Sequence, residues 1–317
     1  MASKSLEAQP RSEYNDNERL RPAIQPFAGR IGGNQTSVLD PSDRKNAEAL
    51  KRVPDAAPHI RLRQSLDLRV LLDTELWRIA FMEAVGTFLF DFVTIWIAAH
   101  PPPSSSVPVP PIAGIFATST FLGPLVGGIT NWLFLTLFIY ALGPVSGAHL
   151  NPTITISTFC AGLITLPRLI LYVTAQVSGA TLAGLAVRSA YGSGNYVVGG
   201  CDINTMLVPV NEAFVLEYVF TQALLFFAFG TALDPRQTLI YSAALAPWLV
   251  GLALGLLSFG SSFTRPGYGG ASMNPARCFG AYVGIGFPTY HWIHWVGPIA
   301  ASIVNGVIYH VVPPWVK

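Results

Sequence analysis

From about residue 78 onward the chain alternates long apolar runs with short polar or Gly- and Pro-rich breaks. Six of the runs reach the roughly 20 residues needed to cross the hydrocarbon core of a bilayer. They fall at roughly 78–99, 121–142, 168–190, 212–232, 239–259 and 290–312, and the pattern predicts a helix at each. Two shorter segments do not fit this scheme. GAHLNPTIT, around Asn151 and Pro152, lies between the second and third runs, and GASMNPARC, around Asn274 and Pro275, lies between the fifth and sixth. Asn is a favoured helix N-cap, and Pro suits the first helical position because its missing N–H would be unpaired there anyway. Each dipeptide therefore predicts the start of a short helix of about 10 residues, entered from a Gly-rich stretch that cannot itself span.

The two halves resemble each other beyond these dipeptides. Met82-Glu83-Ala84-Val85-Gly86-Thr87-Phe88 in the first run has a counterpart in Leu216-Glu217-Tyr218-Val219-Phe220-Thr221-Gln222 in the fourth. Each half then runs acid-bearing span, second span, Asn-Pro half-helix, third span. Three spans per repeat is odd, so the second copy must lie upside down relative to the first, with the Asn-Pro ends facing each other near the midplane. The predicted fold is an all-α membrane protein of six transmembrane helices plus two re-entrant half-helices in an inverted repeat. Residues 1–76 form an N-terminal tail, 77–202 the first repeat and 203–317 the second.

Composition agrees with a membrane protein: 51% of the residues are hydrophobic and only 11% charged. The charge is also lopsided, since 13 of the 19 Lys and Arg lie at or before Arg78. The tail, rich in Pro, Asn, Ser and charge, is expected to be largely disordered. Leu62, Leu66, Val70 and Leu71 suit either one face of an interfacial helix or a plain linker. Basic residues precede the first span and none follows it in 100–111, which places both termini on the cytoplasmic side. The Pro-rich run in that first loop reads as a stiff external connector. A net charge of +2 gives no warrant for nucleic-acid binding. Cys160, Cys201 and Cys278 lack zinc-ligand spacing, so neither metal nor cofactor is expected. No nucleophile and base pair or phosphate loop suggests an enzyme.

Two helix N-termini meeting inside a bilayer concentrate positive dipole ends where screening is poor, which disfavours cations and hydronium. Asn151 and Asn274 cap their helices through the side-chain oxygen and keep an NH2 to donate into a lumen, orienting passing water and breaking a proton wire. Arg277, three residues after Asn274, shares its helical face and should look into the same lumen. Glu83 and Glu217 are expected to accept hydrogen bonds from the re-entrant backbone, with a proton relay as the lesser alternative. His149 reads as a loop-packing residue. His291 and His294 flank the last span, and Asp91 has no counterpart in the second half.

SGAHLNP, GASMNPAR and HWVGP in this order, with six spans, resemble the aquaporin and aquaglyceroporin superfamily over residues 77–313. Cys278 after Asn-Pro-Ala-Arg, with Gly199-Gly200-Cys201 and a nonstandard first triplet, is similar to the X intrinsic proteins of fungi and plants. The resemblance implies an hourglass channel and a homotetramer. It assigns pore motifs Asn151-Pro152-Thr153 and Asn274-Pro275-Ala276, with Thr153 where the family has Ala. Counted from the motifs, its outer filter falls on Asn131, Ser258, Ala271 and Arg277. With neither aromatic nor His in that ring, the opening suits glycerol, urea, hydrogen peroxide or boric acid as well as water. Phe263, Tyr268 or Tyr191 folding inward would refill it. A Cys201–Cys278 disulfide is a further expectation, conditional on a Cα separation within about 7 Å. The implied function is a passive channel in the plasma membrane whose partners are water, small neutral solutes and the bilayer. The alternative is a weakly conducting adhesion or scaffold protein docking through its tail.

Overall fold

The computed structural model describes residues 27–32, 38–102 and 121–312. Six long helices form the frame: Thr74–Ala98, Leu122–Ser146, Leu166–Tyr191, Val210–Ala228, Thr238–Ser262 and Ile293–Val311, called spans 1 to 6 below. Spans 1 to 5 are long and apolar enough to cross a membrane, span 4 by continuing through a wider turn at Phe229–Leu233. Span 6 is interrupted by His294, Asn305 and His310, which thins its apolar character. Two short helices, Pro152–Cys160 and Pro275–Ile285, start at the Asn-Pro dipeptides. The fold is therefore all-α, as the apolar pattern indicates.

Local chemistry sets the ends. Asp73 caps span 1 by accepting from Glu75 N, while Gly147 and Gly192, both at positive φ, stop spans 2 and 3. Span 5 carries a break at Ser242 (φ 60°) that the apolar run does not signal.

The half-helices exchange partners. The first packs against span 6 and the second against span 3, so each lies on the third span of the opposite repeat. Small residues permit this. A Cβ on Gly184 of span 3 would lie 1.8 Å from Gly280 O, and one on Gly306 of span 6 would lie 2.4 Å from Cys160 Cβ. On the face away from the N-terminus, Ala99–His100 pairs antiparallel with Val197–Val198 and ties the end of span 1 to the loop before span 4.

One expectation requires correction, and one choice left open is narrowed. The tail is not largely disordered over 27–32 and 38–76: it holds short helices at Ala47–Arg52 and Leu62–Ser65 and packs onto the membrane helices. What the composition hides is a buried ion pair, Asp55 with Arg168 of span 3 (2.7 Å), that anchors it. Nor do the four apolar residues before span 1 form one face. Leu62 and Leu66 point outward, at 72% and 46% exposure, whereas Val70 and Leu71 pack on Leu76, Ile79, Leu171 and Tyr172. The first loop's Pro-rich run lies outside the described residues beyond Pro102.

Candidate functional site

The two Asn-Pro ends meet across the midline. Asn151 Oδ1 accepts from Thr153 N (2.9 Å), and Asn274 Oδ1 accepts from Ala276 N (3.1 Å) and Arg277 N (3.4 Å), closing the first turn of each half-helix. Each side-chain amide also donates across to the opposite loop: Asn151 Nδ2 to Met273 O (2.9 Å) and Asn274 Nδ2 to Leu150 O (3.2 Å). These accepting carbonyls belong to the two non-glycine residues that precede the Asn, Leu150 (φ 51°) and Met273 (φ 54°). The left-handed backbone is disfavoured for such side chains and is held by its surroundings. One N–H per amide thus braces the pair, and one is left to donate toward the lumen. Thr153 Oγ1 lies 2.7 Å from Asn151 Oδ1 and 3.2 Å from Met273 O, so the extra hydroxyl reinforces the same joint. Pro152, Pro275 and Ala276 are buried at the contact.

Two carboxylates hold the re-entrant loops from behind. Glu83 accepts from Ser146 Oγ (2.6 Å), His149 N (3.0 Å), Leu150 N (2.8 Å) and Gln176 Nε2 (2.9 Å). Glu217 accepts from Ser272 N (2.9 Å), Met273 N (3.3 Å) and Tyr268 Oη (3.0 Å), with His294 Nδ1 3.2 Å away. The positions served, 149–150 and 272–273, are equivalent in the two repeats. Neither carboxylate is among the residues lining the cavity beside the Asn pair. Gln176, Tyr268 and His294 complete this scaffold without having been singled out for it in the sequence. His149 is buried, with Nδ1 3.1 Å from Thr155 Oγ1 and Nε2 2.5 Å from Gly29 O. Asp91 is fully buried on span 1, and neither of its oxygens has a hydrogen-bond partner among the described residues.

From Ile31 past the Asn pair to the face where span 1 ends runs a cavity of about 600 Å³. Its walls include Asn131, Ser258, Ala271 and Arg277, so the four positions counted from the motifs do come together around one lumen. Asn131 Nδ2 donates to Ser258 Oγ (3.3 Å). Arg277 is held by the loop before span 4 and by span 1: Nη2 donates to Gly199 O of the loop (3.0 Å) and to Thr94 O of span 1 (3.4 Å), and Nη1 lies 3.4 Å from Cys201 Sγ. Gly200 (φ 84°) makes room for this, since a Cβ there would stand 2.9 Å from Arg277 Nη1. Cys201 and Cys278 are joined as a disulfide with Cα atoms 5.4 Å apart, immediately beside the guanidinium. None of the three aromatics able to refill the ring does so. Phe263 stacks on Phe259, Tyr268 turns to Glu217, and Tyr191 packs on Tyr196. Thr94 of span 1 lines the cavity instead, with Gly199 and Gly200 of a loop whose course no local pattern reveals.

On the tail side of the Asn pair, residues of the tail pack between the helices. Phe27, Ala28, Arg30 and Ile31 are all buried at 0–4% exposure, and Ile31 forms the inner end of the cavity. Phe27 lies between two guanidinium groups, Arg168 at 4.1 Å and Arg30 at 4.6 Å from its ring centroid. Burial lowers the Arg30 pKa to about 10, and it remains charged at neutral pH.

Opposed half-helix N-termini, a largely apolar lumen carrying Arg277 and a few neutral polar groups, and six long helices define a membrane channel fold. The residues 71–309 match the family model described as Major intrinsic protein, and the chain belongs to that family. It is 32% identical over 253 residues to a probable aquaporin TIP4-1 of Oryza sativa subsp. japonica, covering 75% of this chain and 88% of that protein. It is 33% identical over 237 residues to aquaporin TIP4-2 of Zea mays, covering 73% and 83%. The X-ray structure of the aquaglyceroporin from Plasmodium falciparum shares the fold, with a TM-score of 0.56 at 20% identity, covering 75% of this chain and 98% of that one. The protein is thus an integral membrane channel for water and small solutes, and not an enzyme.

Proposed function

We propose that the channel passes small neutral solutes of glycerol size, among them urea, hydrogen peroxide and boric acid, alongside water, and excludes ions and protons. The observation that carries this reading is the ring of Asn131, Ser258, Ala271 and Arg277, which contains one cation, two small polar side chains and no aromatic. A polyol threading this ring exchanges hydration for the Arg277 donors and for the Asn131 and Ser258 side chains. Cations meet a fixed positive charge there and two half-helix dipole ends further in. We place both termini on the cytoplasmic side of the plasma membrane and expect a homotetramer of independently conducting subunits. The scaffold alternative needs the tail as an outward docking element, and residues 27–32 and 53–57 of that tail are committed to packing against the helices instead.

Stopped-flow light scattering on proteoliposomes tests the solute reading. Because the tail packs between the helices on one side of the Asn pair, both the native chain and a Phe27→Ala variant are measured. Glycerol and urea permeabilities clearly above those of empty vesicles are expected in the variant. Permeability to water alone would reject the wide-filter reading, and permeability to nothing in either form would favour the scaffold.

A further inference from the structure

We propose that residues 27–32 are a built-in plug that closes the tail-side mouth of the pore, so that the resting chain is open to one face only. This inference rests on the channel reading above and adds a regulatory element to it.

The seat fits the segment closely. Its walls are Ile139 and Gly143 of span 2, Gly147 and His149 of the first re-entrant loop, Leu163 and Ile164 beyond the first half-helix, and Arg168 and Tyr172 of span 3. Backbone pairing fixes the register: Ile31 N donates to Gly147 O (2.9 Å) and Ala28 N donates to Asp55 O (2.6 Å). The His149 Nε2 contact to Gly29 O adds a third tie, from the histidine two residues before the pore Asn. Both Gly29 and Gly32 sit where no side chain fits. A Cβ on Gly29 would lie 2.7 Å from Ile164 Cγ2, and one on Gly32 would lie 2.6 Å from Ile139 Cγ2 and 2.8 Å from Ile139 O. Arg30 places Nη1 3.5 Å from Gly143 O, among the last carbonyls of span 2, where a cation meets the negative end of the helix dipole.

Closure follows from where the segment ends. Ile31 and Ala28 join the same buried apolar cluster as Ile139, Leu142, Leu163, Leu225 and Leu233, so hydrocarbon fills the vestibule below the Asn pair. A solute in the lumen reaches the apolar Ile31 side chain, which offers nothing to replace its hydration. The anchor lies outside the lumen, in the Asp55–Arg168 pair and in Phe27 held against Arg168. A segment held by one aromatic, a few hydrogen bonds and one ion pair can leave without disturbing the six-helix frame.

The test uses the full chain in proteoliposomes, with Cys160→Ser as the parent so that the free thiol cannot interfere. Phe27→Ala and Gly29→Leu, which remove the anchor or crowd the seat, should each raise glycerol or water permeability at least about fivefold over the parent. The double variant Gly29→Cys, Leu163→Cys exploits a Cβ separation of 3.3 Å, near the disulfide range of about 3.5–4.5 Å. Its oxidised form should conduct at the level of empty vesicles and recover on reduction, the parent treated alike supplying the baseline. Failure of the cross-link to form, or a cross-linked protein that conducts clearly above empty vesicles, overturns the plug while leaving the channel reading intact. Equal conduction by the parent and by both single variants, with matching thermal unfolding, also overturns it. Absence of conduction in every form overturns the channel reading and the plug together.

Discussion

Asn151 and Asn274 each carry two side-chain N–H groups, and the fold commits one of each to the opposite loop's carbonyl. That cross-bracing fixes the remaining donors in place, which a freely rotating amide could not do. Arg277 is fixed in the same way by carbonyls of residues 94 and 199. In the function proposed above its charge is the barrier to cations, whereas polyols use its donors interchangeably with water's. Arg277→Ala in the Phe27→Ala background should therefore increase proton leak severalfold, read with a pH dye inside vesicles, while glycerol flux holds or rises. The Asn pair and Arg277 were legible because capping and i,i+3 spacing are local. Gln176 and Tyr268 were not, because they reach their carboxylates across 93 and 51 residues of chain.

The half-helices owe their placement to glycine contacts with the third span of the other repeat. Gly184 and Gly280 bring two backbones so close that any side chain at 184 would strike a carbonyl oxygen at 1.8 Å. Gly184→Val should cost more than the ~1–3 kcal/mol of ordinary overpacking, because the obstacle is backbone and cannot change rotamer. A loss of monodisperse protein or a strongly lowered unfolding temperature in detergent would check this. Existence and type of the long helices followed from apolar run length alone. The kink at Ser242 and the folded tail did not, since both depend on partners far along the chain: Asp55 reads as one more charge in a polar stretch until Arg168 stands beside it.

Across the whole molecule, the loop before span 4 links the two repeats at the filter. The Cys201–Cys278 disulfide closes a separation of 77 residues, for which chain entropy gives about 4.5 kcal/mol. Because the same loop holds Arg277, removing the bond should act on both stability and selectivity. Cys201→Ser is expected to lower the unfolding temperature and to widen the range of solutes passed, scored by unfolding scans and by permeability to a polyol series in the Phe27→Ala background. Peptide mapping without reductant that recovered both thiols free would remove the basis for this expectation.

By itself the sequence determined that this chain crosses a membrane, that it does so as an inverted repeat, and that two Asn-Pro caps face each other inside it. Those properties depend on run length, parity and local capping, which a linear string records directly. Only the tertiary structure decided what surrounds the lumen: a glycine loop holding Arg277 at one end and a tail segment seated at the other. Both are set by contacts between residues more than 70 apart, where packing and buried charge pairing, not local propensity, select the conformation.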